Sequence, residues 1–153
     1  MADTWQIKRF DQLSINELYA LLRLRTDIFV VEQKCPYPEL DGKDDHEQTI
    51  HLWQYAQDHT MSAYLRILAP GVSYAGASLG RVAVHKEFRN HGLAHSIVDK
   101  AIDVAKGIWP EKKIEISAQV YLTHFYESHG FQAVSPPYLE DNIPHIDMVL
   151  NRT

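Results

Sequence analysis

The stretch that most constrains the fold is residues 79–106, which join a β-like segment to a helical one through a short turn. The first part is apolar and ends in Val82, Ala83 and Val84. From Leu93 onward, apolar residues recur at steps of three and four, which is typical of a helix with one buried face. The pattern therefore predicts a strand, a turn and an amphipathic helix.

The turn in that stretch, residues 89–94, has the chemistry of an anion site. A helix start exposes unpaired backbone N–H groups and the positive end of the helix dipole. Gly92 lacks the Cβ that would keep an anion away from those groups, and the Arg89 guanidinium offers donors suited to phosphate. We therefore predict a pyrophosphate-binding turn. An ordinary loop before a surface helix is the alternative that these residues leave open.

The motif Arg89-x-x-Gly92-x-Ala94 after a β-run resembles the acyl-CoA-binding motif of the GNAT N-acetyltransferase superfamily. Residues 122–131 resemble the superfamily's later helix, which ends Phe-Tyr-x-x-x-Gly-Phe, and the two matches have the expected order and spacing. The N-terminal half is similar to the ElaA-like branch. The residues that carry this second similarity are Leu24, Arg25, those at 28–33 and 35–37, Asp41, His51 and Leu52. The resemblance thus spans nearly the whole chain.

The order of predicted elements is β-α-β-β-β-α-β-α-β-β, with a helix capped by Ser14 and Glu17 after the first strand. It predicts an α/β (α+β mixed) fold with a largely antiparallel central sheet flanked by helices, and the resemblance implies the same GNAT-like fold. We expect one domain over residues 1–153. The predicted elements are strands at 4–10, 50–56, 61–68, 79–84, 114–118, 131–134 and 145–150, helices at 15–30, 93–105 and 121–129, and an irregular loop at 34–48.

Composition narrows the class of function. A length of 153 residues is enough for one proper core, and a net charge of −5 argues against a nucleic-acid binder, which would show a basic patch. Cys35 is the sole cysteine, so an intrachain disulfide is impossible. We find no signal-peptide pattern and no apolar run of membrane-spanning length, and we therefore expect a cytoplasmic protein that binds no membrane.

The resemblance implies acetyl-CoA as cosubstrate and no metal. In the superfamily, the pantetheine arm pairs with the exposed edge of the strand that ends here in Val82, Ala83 and Val84, although these residues are also plain core strand. The nucleotide end should lie over the 89–94 turn, and His95 in the first helical turn could donate to phosphate. His124 takes a position where many relatives carry asparagine near the cofactor arm, although a helix-surface residue is the alternative. The implied cofactor-binding residues are Val82, Ala83, Val84, Arg89, Asn90, His91, Gly92, Leu93, Ala94, His95 and His124.

Acetyl transfer needs a polarised thioester, a neutral amine and a proton for the leaving thiolate. Tyr126 matches the superfamily tyrosine that points at the CoA sulfur, which makes it the expected acid, although a core aromatic is the alternative. The sequence names no base. His51 and Glu32 are the best choices, but His51 also suits a structural hydrogen bond and Glu32 a loop anchor, for instance through Arg25. A water chain could serve instead.

The remaining predictions concern the 34–48 loop, the overall function and the oligomeric state. The spacing of the acidic residues Asp41, Asp44 and Asp45 matches no metal-binding motif. We predict that they form a solvated loop or a rim that attracts a cationic amine. The leading function is an N-acetyltransferase acting on a small-molecule or peptide amine, and an acyl-CoA sensor without turnover is the alternative. A homodimer is compatible with the exposed strand edges of this fold.

Overall fold

The computed structural model describes residues 5–35 and 37–151, so the predictions made for Thr4 and Pro36 lie outside it. The described residues contain three α-helices, α1 to α3, and eight strands, β1 to β8. The helices are Ile15–Arg25, Leu93–Ile108 and Thr123–Glu127. The strands are Trp5–Arg9, Ile50–Tyr55, Met61–Leu68, Ser78–Val84, Ile114–Gln119, Gln132–Ala133, Tyr138–Glu140 and Ile143–Leu150.

The strands form two antiparallel sheets that meet along one line. The first sheet has the order β1-β2-β3-β4, and in the second β8 lies between β5 on one side and β6 and β7 on the other. The sheets are joined where β4 and β5 begin, because Ala77 forms a parallel bridge with Ile114. The Ala77 N–H donates to the Lys113 carbonyl, and the Glu115 N–H donates to the Ala77 carbonyl. The prediction of a largely antiparallel α/β fold is confirmed.

Helices cover both faces of this sheet. On one face, α2 packs Ile97, Val98 and Ala101 into the main core, as its spacing predicts. On the other face, α1 packs Leu21 and Leu24 against a second apolar cluster. The N-cap of α1 forms as predicted: Ser14 Oγ accepts from the Glu17 N–H, and Glu17 accepts from the Ser14 N–H. Among the described residues, no helix combines the length and the apolar character needed to cross a membrane.

Strand β4 contains a bulge beside the line where the sheets meet. Tyr64 pairs with Ala83 and Arg66 with Gly80, so two residues of β4, Arg81 and Val82, lie opposite the single residue between them on β3. Arg81 has φ of 54°, a left-handed conformation that is uncommon for a residue with a side chain. Bulges bend a strand and increase its local twist. The bulge lies in the part of β4 that follows its junction with β5.

Two element predictions are wrong in detail. The first helix continues beyond α1 as π-helical turns over Thr26–Glu32, slightly past the predicted end. At the C-terminal end, the last strand is predicted to begin at residue 145, yet β8 begins at Ile143 and includes Pro144, and the additional strand β7 pairs with that end of β8. A proline removes one ladder donor, which a strand tolerates at its start.

Candidate functional site

A cleft of about 650 Å³ opens where β4 and β5 diverge. Its volume lies in the range of small-molecule and cofactor sites, roughly 300–1,000 Å³. The walls come from both strands, from the start of α2, from α3, from the end of the π-helical turns and from the β7–β8 hairpin. Because the sheets are joined at one end only, the cleft passes between them.

The cleft connects the two faces of the sheet. Along β5, Ile116 and Ala118 belong to the main core together with Tyr126, while Ser117 and Gln119 alternate onto the other face. His145 of β8 lies directly opposite Gln119, and opposed residues of an antiparallel pair share a face. The cleft therefore has an apolar side, which includes Tyr126, and a polar side, which includes His145.

The 89–94 turn lies at the cleft and has the backbone that the motif predicts. Gly92 is the N-cap of α2 with φ of 78°, and Asn90 has φ of 68°. A Cβ built on Gly92 would meet no atom within 4 Å. The glycine is thus required by its left-handed backbone, and the space in front of it is open. Asn90, Gly92, Leu93, Ala94 and His95 all line the cleft, next to the first N–H groups of α2.

Arg89 lines the cleft, but its guanidinium is already engaged. Its Nε donates to the Val84 carbonyl at 3.0 Å, and its two terminal nitrogens donate to Glu32 at 2.6 and 2.8 Å. Glu32 therefore anchors Arg89 and not Arg25, which corrects the predicted pairing. The hydrogen bond from Arg89 lowers the pKa of the Glu32 carboxyl, so this carboxylate is a weak proton acceptor. The predicted role of Glu32 as the base therefore does not fit the structure.

A chain of three polar side chains leads into the cleft beside this turn. His129 Nδ1 lies 2.7 Å from the Asp99 carboxylate, and His95 Nδ1 lies 2.9 Å from His129 Nε2. Since the carboxylate accepts from His129, the His129 Nε2 accepts from His95. The chain orients the His95 ring, which also lies 4.5 Å from the ring of Phe125. With its proton on Nδ1, the neutral His95 ring has a lone pair on Nε2 and can only accept there, so in this tautomer it does not make the predicted donation to a phosphate.

Tyr126 is brought to the apolar side of the cleft by α3. Its side chain is buried, and its ring makes edge contacts with Phe125 and Phe131 at centroid distances of 5.0 and 5.7 Å. Burial raises the pKa of the Tyr126 hydroxyl to about 12, so it carries its proton at neutral pH. No hydrogen bond within the described part of the chain uses this hydroxyl. It is thus available to a molecule in the cleft.

His51 does not line the cleft, so its predicted role as a base does not fit the structure. Its ring is fully buried. Nε2 lies 3.0 Å from the Asp44 carbonyl, which can only accept, and Nδ1 lies 2.6 Å from the Tyr64 hydroxyl. Both ring nitrogens are therefore engaged, and burial lowers the pKa of His51. The alternative interpretation, a structural histidine, describes this environment.

Three predicted cofactor residues are also outside the cleft lining. The Ala83 side chain is buried in the second apolar cluster, and only its neighbours Val82 and Val84 line the cleft. His91 is exposed beside the turn. The His124 side chain is fully exposed and pairs with Glu127 at 3.0 Å, because this side of α3 faces away from the cleft. A helix places residues 124 and 126 about 200° apart, so both could not face the same site.

The acidic loop is not a charged rim, which corrects both interpretations of Asp41 and Asp44. Asp41 accepts two hydrogen bonds from Arg66, at 2.9 and 2.8 Å, and Asp44 accepts from Arg25 at 2.6 Å. Glu39 accepts from Arg25 at 2.6 Å and from Arg81 at 2.9 Å. Three carboxylates are thus matched by three arginines. Asp45 remains exposed.

Several polar residues of the cleft have no site role in the sequence-based prediction. Arg81 lies in the β4 bulge, and Tyr37 lies in the 34–48 loop. The Arg81 guanidinium lies 5.7 Å from the centroid of the Tyr37 ring. Ser117 and Gln119 could have been found from the alternation along β5, which leaves two polar side chains on one face. His145 had no local signal, since its position depends on the pairing of β8 with β5.

Comparison with known proteins gives matches along nearly the whole chain. The profile of the acetyltransferase (GNAT) domain matches residues 30–152. Protein ElaA of Escherichia coli K12 is 38% identical over 144 residues, which cover 94% of each protein. An acyl-CoA N-acyltransferase from Pseudomonas aeruginosa superposes with a TM-score of 0.92 at 42% identity, over 97% of this chain and 99% of that one. The crystal structure of Escherichia coli ElaA gives 0.91 at 36% identity, over 98% and 100%.

Proposed function

Because the chain belongs to the GNAT acetyltransferase family, with ElaA among its relatives, we propose that it transfers an acetyl group directly from acetyl-CoA to an amine. The observation that carries this proposal is the position of the Tyr126 hydroxyl. It is buried, protonated and unpaired in a cleft that also receives the 89–94 turn. A cofactor bound along the cleft would have its phosphates at the turn and its thioester between the sheets.

The chain's own groups supply what the reaction needs on the cofactor side. The first N–H groups of α2, after the left-handed Gly92, offer donors to the pyrophosphate. Val82 and Val84 line the cleft at the end of β4, beyond the Ala77–Ile114 bridge that joins this strand to β5. A backbone N–H at that edge can stabilise charge on the carbonyl oxygen, and Tyr126 can protonate the departing sulfur.

The first experiment is calorimetric titration with acetyl-CoA, followed by a thiol-release assay over a panel of amines. Binding together with thiol release for one class of amine supports the transferase. Binding without release from any amine supports the alternative, an acyl-CoA sensor. A protein that binds neither acetyl-CoA nor CoA would contradict both proposals, since each requires the cleft to accept the cofactor.

The Tyr126→Phe variant tests the proposed acid. We expect kcat to fall by about 10- to 100-fold, because the variant keeps the ring but removes the proton donor. The dissociation constant of acetyl-CoA should change by less than about twofold, since the hydroxyl contributes little to ground-state binding. The matched control is Tyr19→Phe, a change on the exposed side of α1 that should leave kcat unaltered. Unchanged turnover in Tyr126→Phe would remove this residue from the mechanism.

A further inference from the structure

His145 is a titratable side chain on the polar side of the cleft, where the mechanism above assigns no role. It is 8% exposed and lines the cleft from β8. It lies opposite Gln119, near the end of β5 where the sheets are farthest from their junction. Burying a polar ring at the wall of a cleft is costly unless its nitrogens find partners, so the state of each nitrogen is informative.

The hydrogen bonds of His145 determine which nitrogen carries the proton. Nδ1 lies 2.7 Å from the backbone carbonyl of Ile143, and a carbonyl oxygen can only accept. Nδ1 is therefore the donor, and the lone pair of the neutral ring is on Nε2. Within the described residues, Nε2 makes no hydrogen bond, and a Glu140 carboxylate oxygen lies 3.7 Å from it. The ring thus offers a free basic nitrogen.

The other buried histidine near the sheet has no such atom. The two ring nitrogens of His51 are used by the Asp44 carbonyl and the Tyr64 hydroxyl. His145 therefore differs from His51 in having a basic nitrogen that remains free while the ring is held in place. This is the arrangement of a general base: one nitrogen fixes the tautomer, and the other receives a proton.

Neighbouring side chains hold the His145 ring in place. The Tyr138 ring stacks on it at a centroid distance of 6.3 Å, and the Tyr138 hydroxyl donates to Asp147 at 2.6 Å. Asp141 and Asn142 both have positive φ, as in a tight hairpin turn, and this turn fixes Glu140 and Asp141 at the cleft wall. The charged and titratable groups around the ring are Glu140, Asp141, Tyr138 and Asp147, with Tyr74 interacting with Asp147 and Glu140.

Building on the acetyl transfer proposed above, we propose that His145 is its general base and that the β7–β8 hairpin selects a primary amine with a second positive charge. A free imidazole nitrogen can accept a proton from the substrate ammonium. Glu140 and Asp141 attract the remaining charge, and both line the cleft with exposed side chains. Their carboxylates would repel an amine that bears its own carboxylate.

The transfer then balances in protons and bonds. His145 Nε2 takes one proton from the ammonium, which leaves a neutral amine. The amine nitrogen attacks the thioester carbon, so a C–N bond forms and the C–S bond breaks. The second proton lost by the nitrogen reaches the sulfur by way of the Tyr126 hydroxyl. The proton on His145 goes to solvent through the open side of the cleft. The products are the acetylated amine, CoA thiol and one proton.

The decisive variant is His145→Asn, in which the amide nitrogen can still donate to the Ile143 carbonyl while the basic nitrogen is absent. We expect kcat/KM to fall on the order of 100-fold and the acidic limb of its pH profile to disappear. Added imidazole should restore part of the rate, which a purely structural role would not permit. The matched control is His59→Asn, in the exposed β2–β3 turn with φ of 66°, which should retain the wild-type profile. A His145→Asn enzyme with the wild-type rate and acidic limb would overturn the assignment.

The amine class is tested with 1,4-diaminobutane, butylamine and 4-aminobutanoate, which share a chain length and differ in charge. We expect kcat/KM to be about 10-fold higher for the diamine than for butylamine and lowest for the amino acid. In the Glu140→Gln, Asp141→Asn double variant, the kcat/KM values for the three amines should become similar. Equal rates for all three substrates would contradict the proposed selection.

A binding measurement separates this inference from the transferase proposal. With CoA-saturated wild-type protein, addition of 1,4-diaminobutane should shift the NMR resonance of the His145 Nε2, and addition of 4-aminobutanoate should not. If CoA binds but no amine is acetylated, the transferase proposal fails while this shift still supports the amine site. If the diamine causes no shift at saturating concentration, the amine site is wrong, whatever the turnover.

Discussion

At the scale of single residues, the partners that a donor already has decide what it can bind. Arg89 has the right position for a phosphate ligand, yet its three nitrogens donate to Val84 and Glu32. Its first role is therefore structural, because it links the end of β4 to the π-helical turns. The N–H groups that follow Gly92 have no such competitor, since four N–H groups at a helix start lack an intrahelical partner. Anion binding should depend more on the backbone of the turn than on the arginine.

The Gly92→Ala variant tests that conclusion. Its left-handed φ of 78° should cost the variant about 1–2 kcal/mol in the free energy of unfolding. A methyl group would also enter the open space before the turn, so the affinity for acetyl-CoA should fall about 10-fold or more. Urea unfolding and calorimetric titration measure the two effects.

Gly71→Ala is the matched control for this change. Gly71 has φ of 92°, and a Cβ there likewise meets no atom within 4 Å, but it lies outside the cleft lining. The control should lose a similar amount of stability and retain its affinity for acetyl-CoA. If both variants bind acetyl-CoA normally, the turn is not the pyrophosphate site.

A feature of the site could be predicted from the sequence only where the interacting residues lie close together in the chain. The 89–94 turn is a local structure whose conformation depends on a few adjacent residues, and its motif indicated correctly that Gly92 begins a helix. The partners of Glu32 and His51 lie 57 and 13 residues away in the chain, and no local pattern specifies them. His145 was missed for the same reason, because its place depends on the register of β8 against β5.

At the scale of elements, the 34–48 loop is held in place by buried ion pairs. Arg25 on α1 and Arg66 on β3 both donate to Asp44, at 2.6 and 3.1 Å, and Arg25 is fully buried. Arg81, in the β4 bulge, donates to Glu39 from the other side. The loop is therefore tied to three elements, and this positions Tyr37 at the cleft. An acidic run in a sequence is commonly read as solvated, but three arginines on separate elements make this one internal.

The Arg25→Met variant tests the strength of this network. Removing the guanidinium leaves Glu39 and Asp44 short of a partner in a buried site, which should lower the free energy of unfolding by about 3–5 kcal/mol. Urea unfolding followed by circular dichroism gives the value. A loss below about 1 kcal/mol would mean that the loop is not held by buried charge.

Arg23→Met provides the control on the same helix. Arg23 is 75% exposed and lies 3.8 Å from Asp27, a distance at which a solvated pair contributes little. Its replacement should change stability by less than about 1 kcal/mol. The difference in the free energy of unfolding between the two variants therefore measures the effect of burial and pairing, apart from any general effect of methionine on α1.

At the scale of the whole molecule, the cleft exists because the two antiparallel sheets, as far as the structure describes the chain, are joined only at the start of β4 and β5. The alternation of apolar residues predicted the strands, and the resemblance implied their arrangement. Neither indicated that β7 would pair with β8, because a three-residue strand has too little pattern to be recognised. That hairpin adds Glu140, Asp141 and His145 to the polar side of the cleft.

The charges of the molecule also predict how its stability depends on pH. Burial alone would raise the pKa of the Asp41 carboxyl, but hydrogen bonds from Arg66 and the charge of Arg66 outweigh it and lower the value to about 2. The pKa values of Asp44 and Glu17 are lowered in the same direction by Arg25 and Lys8 respectively, again against burial. In the unfolded chain these carboxyls return to their ordinary pKa values of about 4.

The sign of the effect follows from the protons bound in each state. Between about pH 4 and pH 2 the unfolded chain holds a proton on Asp41 and the folded protein does not, so lowering the pH favours unfolding. Asp41 alone should contribute about 2 kcal/mol above pH 5, lost as the pH falls to 2. Urea midpoints measured from pH 5 to pH 2 should decline steadily, and Asp41→Asn should make that decline shallower by about one proton's slope. Asp45→Asn, an exposed change in the same loop, should retain the wild-type slope. If Asp41→Asn and the wild type lose stability in parallel, the network around Arg66 does not carry the acid sensitivity of this fold.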